Sequence, residues 1–224
     1  MLMHDFQTDG LFHFQDACCE LDLSVIEEAT GPIKPNAAGI RLVGLPLLNS
    51  YLEISGSVGK FAAQLIGLRA KPVRAVLFDK SSENNWGLAW HQDRTIIVRN
   101  RIETDGFGPW TTKSGLQHVA PPTAILEAMI TLRLHLDSVP EDNAPLLVIP
   151  SSHKLGRISE NEIKSLVDVL PSALCLAQRG DIWAYSTLIV HASKPAKIAD
   201  GRRVLQIDYS KDILPNGLNW LGIS

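Results

Sequence analysis

Apolar residues recur along this chain with two different periods, and the change falls near residue 72. In "DACCELDLSVIEEAT", Leu21, Val25, Ile26 and Ala29 fall at helical spacing, and the run stops at Thr30-Gly31-Pro32. In "SVGKFAAQLIGLRA", which follows Gly56, Phe61, Leu65, Ile66 and Leu68 lie near one face. Both stretches predict amphipathic helices that lay an apolar stripe on a core. From about residue 73 the runs shorten and turn β-rich: "VRAVLF", "RTIIV", "ILEAMITLRLHL", "PLLVIP", "ALCLAQ", "DIWAYS" and "RRVLQIDYS". Gly, Pro, Asn and Asp separate them. The pattern predicts one mainly β domain over residues 1–224 with flanking helices. Residues 1–72 form a helical part packed on a barrel or sandwich built from 73–210. Residues 100–122, with "TDGFGPWTTKSG", are too long for a simple turn and read as a candidate lid.

Length and composition support a single domain with a sizeable core: 224 residues, 45% hydrophobic and 20% charged. The net charge of −3 provides no basic field, so nucleic acid is not an expected partner. That leaves room for a local basic pocket and an anionic substrate. Lys34, Arg41 and Lys113 are too scattered to make a basic patch at a pocket mouth. The start "MLMHDFQTDG" lacks the basic and then apolar pattern of a signal peptide, and no run is long enough to span a bilayer. The cysteines Cys18, Cys19 and Cys175 are odd in number and include an adjacent pair, a poor disulfide framework. These features fit a reduced, cytoplasmic protein without membrane attachment. Oligomeric state is not encoded legibly.

The candidate chemistry starts at Trp90-His91-Gln92-Asp93. Residues two apart on a strand point to one face, so His91 and Asp93 can offer an imidazole nitrogen and a carboxylate to one metal ion. A second histidine from a distant strand completes three ligands and leaves three positions open, as oxygen activation at non-haem Fe(II) requires. His191, in "LIVHASK", is the candidate. The same HxD spacing occurs at His135-Leu136-Asp137, where alternation with Leu132, Leu134 and Leu136 predicts the polar face of a half-buried strand. After His191 comes a turn with Pro195 and Asp200-Gly201, then a strand opening with Arg202-Arg203. An arginine there can clamp the distal carboxylate of a 2-oxo acid. Arg202 shares a face with Val204, Gln206 and Asp208 and suits a polar cavity better; Arg203, beside Leu205, Ile207 and Tyr209, stays open as the alternative. His118 and His153 read as loop residues, and Asn143 as a turn former.

At "NWGLAWHQD", "HLDSVPEDNAPLLVIPSSHKLG" and "RGDIWAYSTLIVHAS", and at the arginine eleven residues after His191, the chain resembles the phytanoyl-CoA dioxygenase family, from about Phe6 to Tyr209. Ala144 and Ser151 stand where the family usually has glycine. The resemblance implies a double-stranded β-helix, an eight-stranded jelly roll. It implies Fe(II) held by His91, Asp93 and His191, and 2-oxoglutarate held by Arg202 with help from Ser193. It places Trp110 where the family often has a cosubstrate-lining tryptophan, and Lys80 near enough to add a carboxylate contact. The implied reaction uses O2, hydroxylates a small organic molecule, and releases succinate and CO2. With Asp93 present, a halogenase reading is disfavoured. The rival readings are a cupin-like metal enzyme that does not use 2-oxoglutarate, and a non-catalytic jelly roll that binds a small molecule. Neither makes use of the full set His91, Asp93, His191 and Arg202.

Overall fold

A computed structural model describes residues 5–31, 39–198 and 201–223; Pro32, Lys34 and Asp200, named above, lie outside them. In chain order the elements are α1 (Phe6–Asp9), β1 (Leu11–Phe14), α2 (Glu20–Thr30), β2 (Gly39–Arg41), α3 (Pro46–Leu52), α4 (Gly59–Ile66) and β3 (Lys71–Lys80). There follow β4 (Leu88–His91), β5 (Ile96–Val98), β6 (Trp110–Lys113), β7 (Leu116–Val119), α5 (Thr123–Glu127), β8 (Ile130–His135) and β9 (Leu146–Val148). After a 3-10 turn at Ser152–Leu155 come α6 (Glu160–Val169), β10 (Ala173–Cys175), β11 (Ile182–Ser186), β12 (His191–Ser193) and β13 (Arg202–Ser210).

Alternation along the strands produces the two-sheet architecture. One sheet runs β1-β11-β8-β13-β3-β2 and the other β10-β9-β12-β4. The four central strands of the first and the four of the second make the eight strands of a jelly roll, all paired antiparallel. On the outer face of the larger sheet, Ala75, Leu77, Leu132, Leu134, Leu205 and Ile207 bury against helices α2, α3 and α4 through Leu23, Ile26, Leu48, Leu52 and Ala62. Each fully buried Leu or Ile stabilises this layer by about 1.5–3 kcal/mol. Tyr209 fixes the same seam by donating its hydroxyl to the Leu52 carbonyl at 2.9 Å. Gly31 ends α2 in the left-handed region at φ 64°, where glycine carries no Cβ penalty. Between the sheets, Leu146, Val148, Trp183, Tyr185 and Ile189 fill one end with apolar contacts. The other end is polar and holds the candidate site.

Several expectations change. Strand β8 is buried at all six positions, not half-exposed: helices cover its leucine face, and Thr131, Arg133 and His135 turn into the barrel. The run "ILEAMITLRLHL" opens as helix α5 before becoming β8. Residues 100–122 are not a structureless lid. Ser114 and Gly115, both at positive φ, close a two-residue turn between β6 and β7, and β7 pairs with β5 in a third sheet. The helical part before residue 72 also contributes two short strands, β1 and β2, at the edges of the larger sheet.

Candidate active site

The second half of β4 delivers the first candidate ligand. His91 pairs across to His191 at the start of β12, so two strands remote in sequence place their imidazoles side by side, ring centroids 4.2 Å apart. Each ring is aimed by its own strand. His91 Nδ1 lies 2.8 Å from the Ala89 carbonyl and His191 Nδ1 lies 2.9 Å from the Ile189 carbonyl. A carbonyl only accepts, so both Nδ1 atoms carry hydrogen and both Nε2 atoms keep a free lone pair. Asp93 follows two residues after His91, and one ligand atom from each of His91, Asp93 and His191 lies within 4.8 Å of the others. This is the grouping of three or more such side chains that can hold a metal ion among the described residues. Two imidazoles and one carboxylate on one face suit a non-haem Fe(II) site with open positions.

Electrostatics keep Asp93 and His191 in the ligating state. Burial raises the Asp93 carboxyl pKa, but Arg74, His191 and His91 outweigh it, and the net direction is down. Arg74 reaches Asp93 Oδ2 at 3.4 Å while its Nε binds Asp208 at 2.5 Å. Asp208 is in turn fixed by the Thr131 hydroxyl at 3.0 Å. Burial and the neighbouring His91 push His191 down to about 4, against the pull of Asp93, so the imidazole is neutral at pH 7.

A pocket of about 290 Å³ opens beside the three ligands and is lined by Arg41, Arg74, Arg133 and Arg202 as well as by Ser193 and Phe78. Arg202 is 2% exposed, and its Nε has no hydrogen-bond partner. Its Nη1 donates to the Ala144 carbonyl. No described carboxylate forms an ion pair with it. Burial, with Arg133 nearby, lowers its pKa to about 9, still protonated at neutral pH. A buried guanidinium with an idle donor is costly unless an anion joins it. The pocket therefore fits a 2-oxo diacid chelated at the metal with its far carboxylate on Arg202. Arg203 points the other way, into ion pairs with Asp137 at 2.7 Å and Glu27 at 2.8 Å on the outer face. Ser193 lines the pocket and accepts from Lys80 Nζ at 2.8 Å. Lys80 is fully buried, also donates to the Lys194 carbonyl at 2.6 Å, and is lowered to about 7 by burial and by Arg202 and Arg133.

Trp110 is not brought to the pocket. It packs under the third sheet with Val73, Ile96 and Val119, and Arg101 stacks on it at 5.5 Å. The fold turns the hairpin's indole onto an apolar cluster that needs covering. His118 is buried on β7 rather than in a loop, and both its ring nitrogens lack partners. His135 is buried inside the barrel, while Asp137 faces outward to Arg203, so that second HxD pair diverges.

Three residues escaped the sequence reading. Arg133 enters the pocket and donates to Gln206 Oε1 at 2.8 Å. Its alternation with three leucines already marked the face; what hid its role was the inversion of inside and outside. Arg74 lies on β3, 19 residues before Asp93, and has no local signature. Gln92, between the two ligands, donates to the Gly156 and Leu188 carbonyls at 2.8 and 2.7 Å and accepts from Ile158 N at 3.1 Å, pinning the segment that carries Asp93. Arg41, set aside as scattered, is drawn to the pocket by β2.

Comparison with known proteins bears on the family and the fold. Residues 67–204 match the family model described as phytanoyl-CoA dioxygenase (PhyH). No curated protein matches the chain. Among solved structures, AviO1 from Streptomyces viridochromogenes Tue57 is similar at 16% identity and TM-score 0.67, with 94% of each chain covered. SnoK, a non-haem α-ketoglutarate-dependent carbocyclase from nogalamycin biosynthesis, is similar at 14% and 0.64, covering 91% of this chain and 80% of that one. HygX from Streptomyces hygroscopicus, with nickel and 2-oxoglutarate bound, is similar at 12% and 0.61, covering 92% and 84%.

Proposed function

The chain belongs to the phytanoyl-CoA dioxygenase family, and from that premise we propose that it hydroxylates a small organic molecule at an iron held by His91, Asp93 and His191. It is a non-haem oxygenase dependent on Fe(II), 2-oxoglutarate and O2. Iron with 2-oxoglutarate and O2, when bound, supplies the oxidising power for the C–H bond and releases succinate and CO2.

The protein's own residues bind, orient and exclude water. The Ala89 and Ile189 carbonyls hold the two imidazoles with Nε2 turned to the metal position. Arg74 stabilises Asp93 as a carboxylate and keeps it from swinging away. Arg202 pairs with the far carboxylate of 2-oxoglutarate, and Ser193, held by Lys80, offers a second contact. With the cosubstrate fixed, Phe78 and Trp86 offer the substrate an apolar part of the pocket wall. The free, buried thiols of Cys18 and Cys175 lie in separate apolar clusters, which supports a reducing compartment such as the cytoplasm. No described helix is long and apolar enough to cross a membrane. With a net charge of −3, the partners are small molecules rather than nucleic acid.

One observation carries the reading: three candidate ligand atoms converge within 4.8 Å beside a buried arginine that has no carboxylate partner among the described residues. The test is succinate formation from 2-oxoglutarate with Fe(II) and O2, in the wild type and in Asp93→Ala. Succinate from the first and none from the second is expected. Equal rates would overturn the assignment.

A further inference from the structure

With the metal and 2-oxoglutarate in place, the pocket still holds two cations that form no ion pair among the described residues. Arg74 is neutralised by Asp208 and Asp93, and Arg202 is spoken for by the cosubstrate. Arg133 is only 6% exposed, its Nη1 donates to a neutral amide, Gln206 Oε1, and its Nε has no partner. Its guanidinium carbon sits 5.8 Å from the centroid of Phe78, which also lines the pocket. Arg41 stands in the same lining, with a buried and unpartnered Nε and a single side-chain contact to Ser114 Oγ at 3.3 Å in the β6–β7 turn. Among the described residues neither arginine forms an ion pair. Burying one unpaired charge is expensive, and two facing one small cavity repel each other. An oxyanion on the substrate removes both penalties. The guanidinium is planar by itself; its Nη1 bond to Gln206 Oε1 restrains the side chain, and Nε stays unpartnered among the described residues, as carboxylate recognition requires.

We propose that the substrate is a small organic carboxylate, its carboxylate seated on Arg133 and its apolar part against Phe78 and Trp86, with Arg41 drawing it in at the mouth. This rests on the iron and 2-oxoglutarate reading of the same site. The cavity of about 290 Å³ must also hold 2-oxoglutarate, so the substrate is limited to a few carbons or extends past the mouth.

The test is calorimetric titration under nitrogen of the Fe(II)-loaded protein saturated with 2-oxoglutarate, so that Arg202 is occupied. The probes are hexanoate, phenylacetate and phenylpropanoate, each beside its neutral primary amide. At least one carboxylate is expected to bind about tenfold or more tightly than its amide. Arg133→Gln is expected to abolish that preference while 2-oxoglutarate affinity changes by less than about threefold. If Arg133→Gln melts below the assay temperature, Arg133→Lys carries the comparison, retaining a charge without the fork and only part of the preference. Amides binding as well as acids, or no carboxylate binding at all, overturns the proposal. So does a large loss of 2-oxoglutarate affinity in Arg133→Gln with the acid preference intact, which would assign Arg133 to the cosubstrate. Failure of the wild type to bind 2-oxoglutarate would instead sink the underlying function, a separate and recognisable result.

Discussion

Replacing Arg202 with glutamine separates binding from folding in a way that the structure makes quantitative. In the unliganded protein this guanidinium has one hydrogen bond, to the Ala144 carbonyl, and no described ion pair. Folding gains little from it and bears its desolvation. Glutamine should therefore leave the melting temperature within about 3 °C of wild type, since about 1 kcal/mol shifts a chain of this size by about 2–4 °C. Binding is the opposite case. Removing one partner of a buried, charge-assisted pair costs about 3–5 kcal/mol. At about 1.4 kcal/mol per tenfold, the dissociation constant for 2-oxoglutarate should rise by about a hundredfold to several thousandfold. Anaerobic calorimetry with Fe(II)-loaded protein measures this directly. Arg203→Gln is the matched control. Its pairs with Asp137 and Glu27 are partly exposed on the outer face, so it should cost stability about 0–1 kcal/mol and leave 2-oxoglutarate binding unchanged. The reasoning is refuted if Arg203→Gln weakens 2-oxoglutarate and Arg202→Gln does not, or if both bind as wild type.

Four further outcomes are expected. Ala144 and Ser151, standing where the family usually has glycine, sit at φ 51° and 64°; Ala144→Gly should raise stability by about 0.5–1 kcal/mol in urea titrations, because left-handed backbone costs alanine about 1–2 kcal/mol and glycine's extra chain entropy offsets part of the relief. Ser151→Gly should be closer to neutral, since it also loses the hydroxyl's bond to the Thr8 carbonyl at 2.9 Å. Asp208→Asn removes the nearer of the two carboxylates beside the buried Arg74, leaving Asp93 at 3.4 Å, and should cost up to about 3 kcal/mol by chemical denaturation. For acid stability, burial lowers His118 to about 4 and His135 well below its ordinary value, so the unfolded chain binds more protons below pH 6.5. Stability is full above that value and falls as pH drops toward 4; His118 alone contributes roughly 2 kcal/mol of loss between about pH 7 and about pH 5, which His118→Phe should abolish in denaturation midpoints.

The sequence made the candidate ligand set legible because its logic is local twice over. The HxD spacing fixes a shared face, and an arginine eleven residues beyond the last histidine fixes a strand, a turn and a strand. Parity within β13 distinguished Arg202 from Arg203, because period two leaves each residue only one side. The same rule misled on β8. Alternation shows that two faces differ but not which one meets solvent, and here helices cover the apolar face while the polar face lines a cavity. Arg133, Arg74 and Arg41 were unreadable for a related reason: their convergence depends on strand order, which no local pattern encodes. The β6–β7 hairpin did carry a signal, Ser114-Gly115 between short alternating runs, as did α6, whose Ser159 and Glu162 form a capping box. Trp110 was placed by family likeness alone, and the fold sends it elsewhere.

The central claim is that His191 joins His91 and Asp93 on one iron. The direct measurement is the visible charge-transfer absorption that develops when 2-oxoglutarate is added anaerobically to the Fe(II)-loaded protein, compared between wild type and His191→Ala at matched protein and iron. A band in the wild type, absent or much weakened with lower iron affinity in the variant, is the predicted result. A band of equal strength in both proteins would contradict it, because the distal imidazole would then lie outside the coordination sphere.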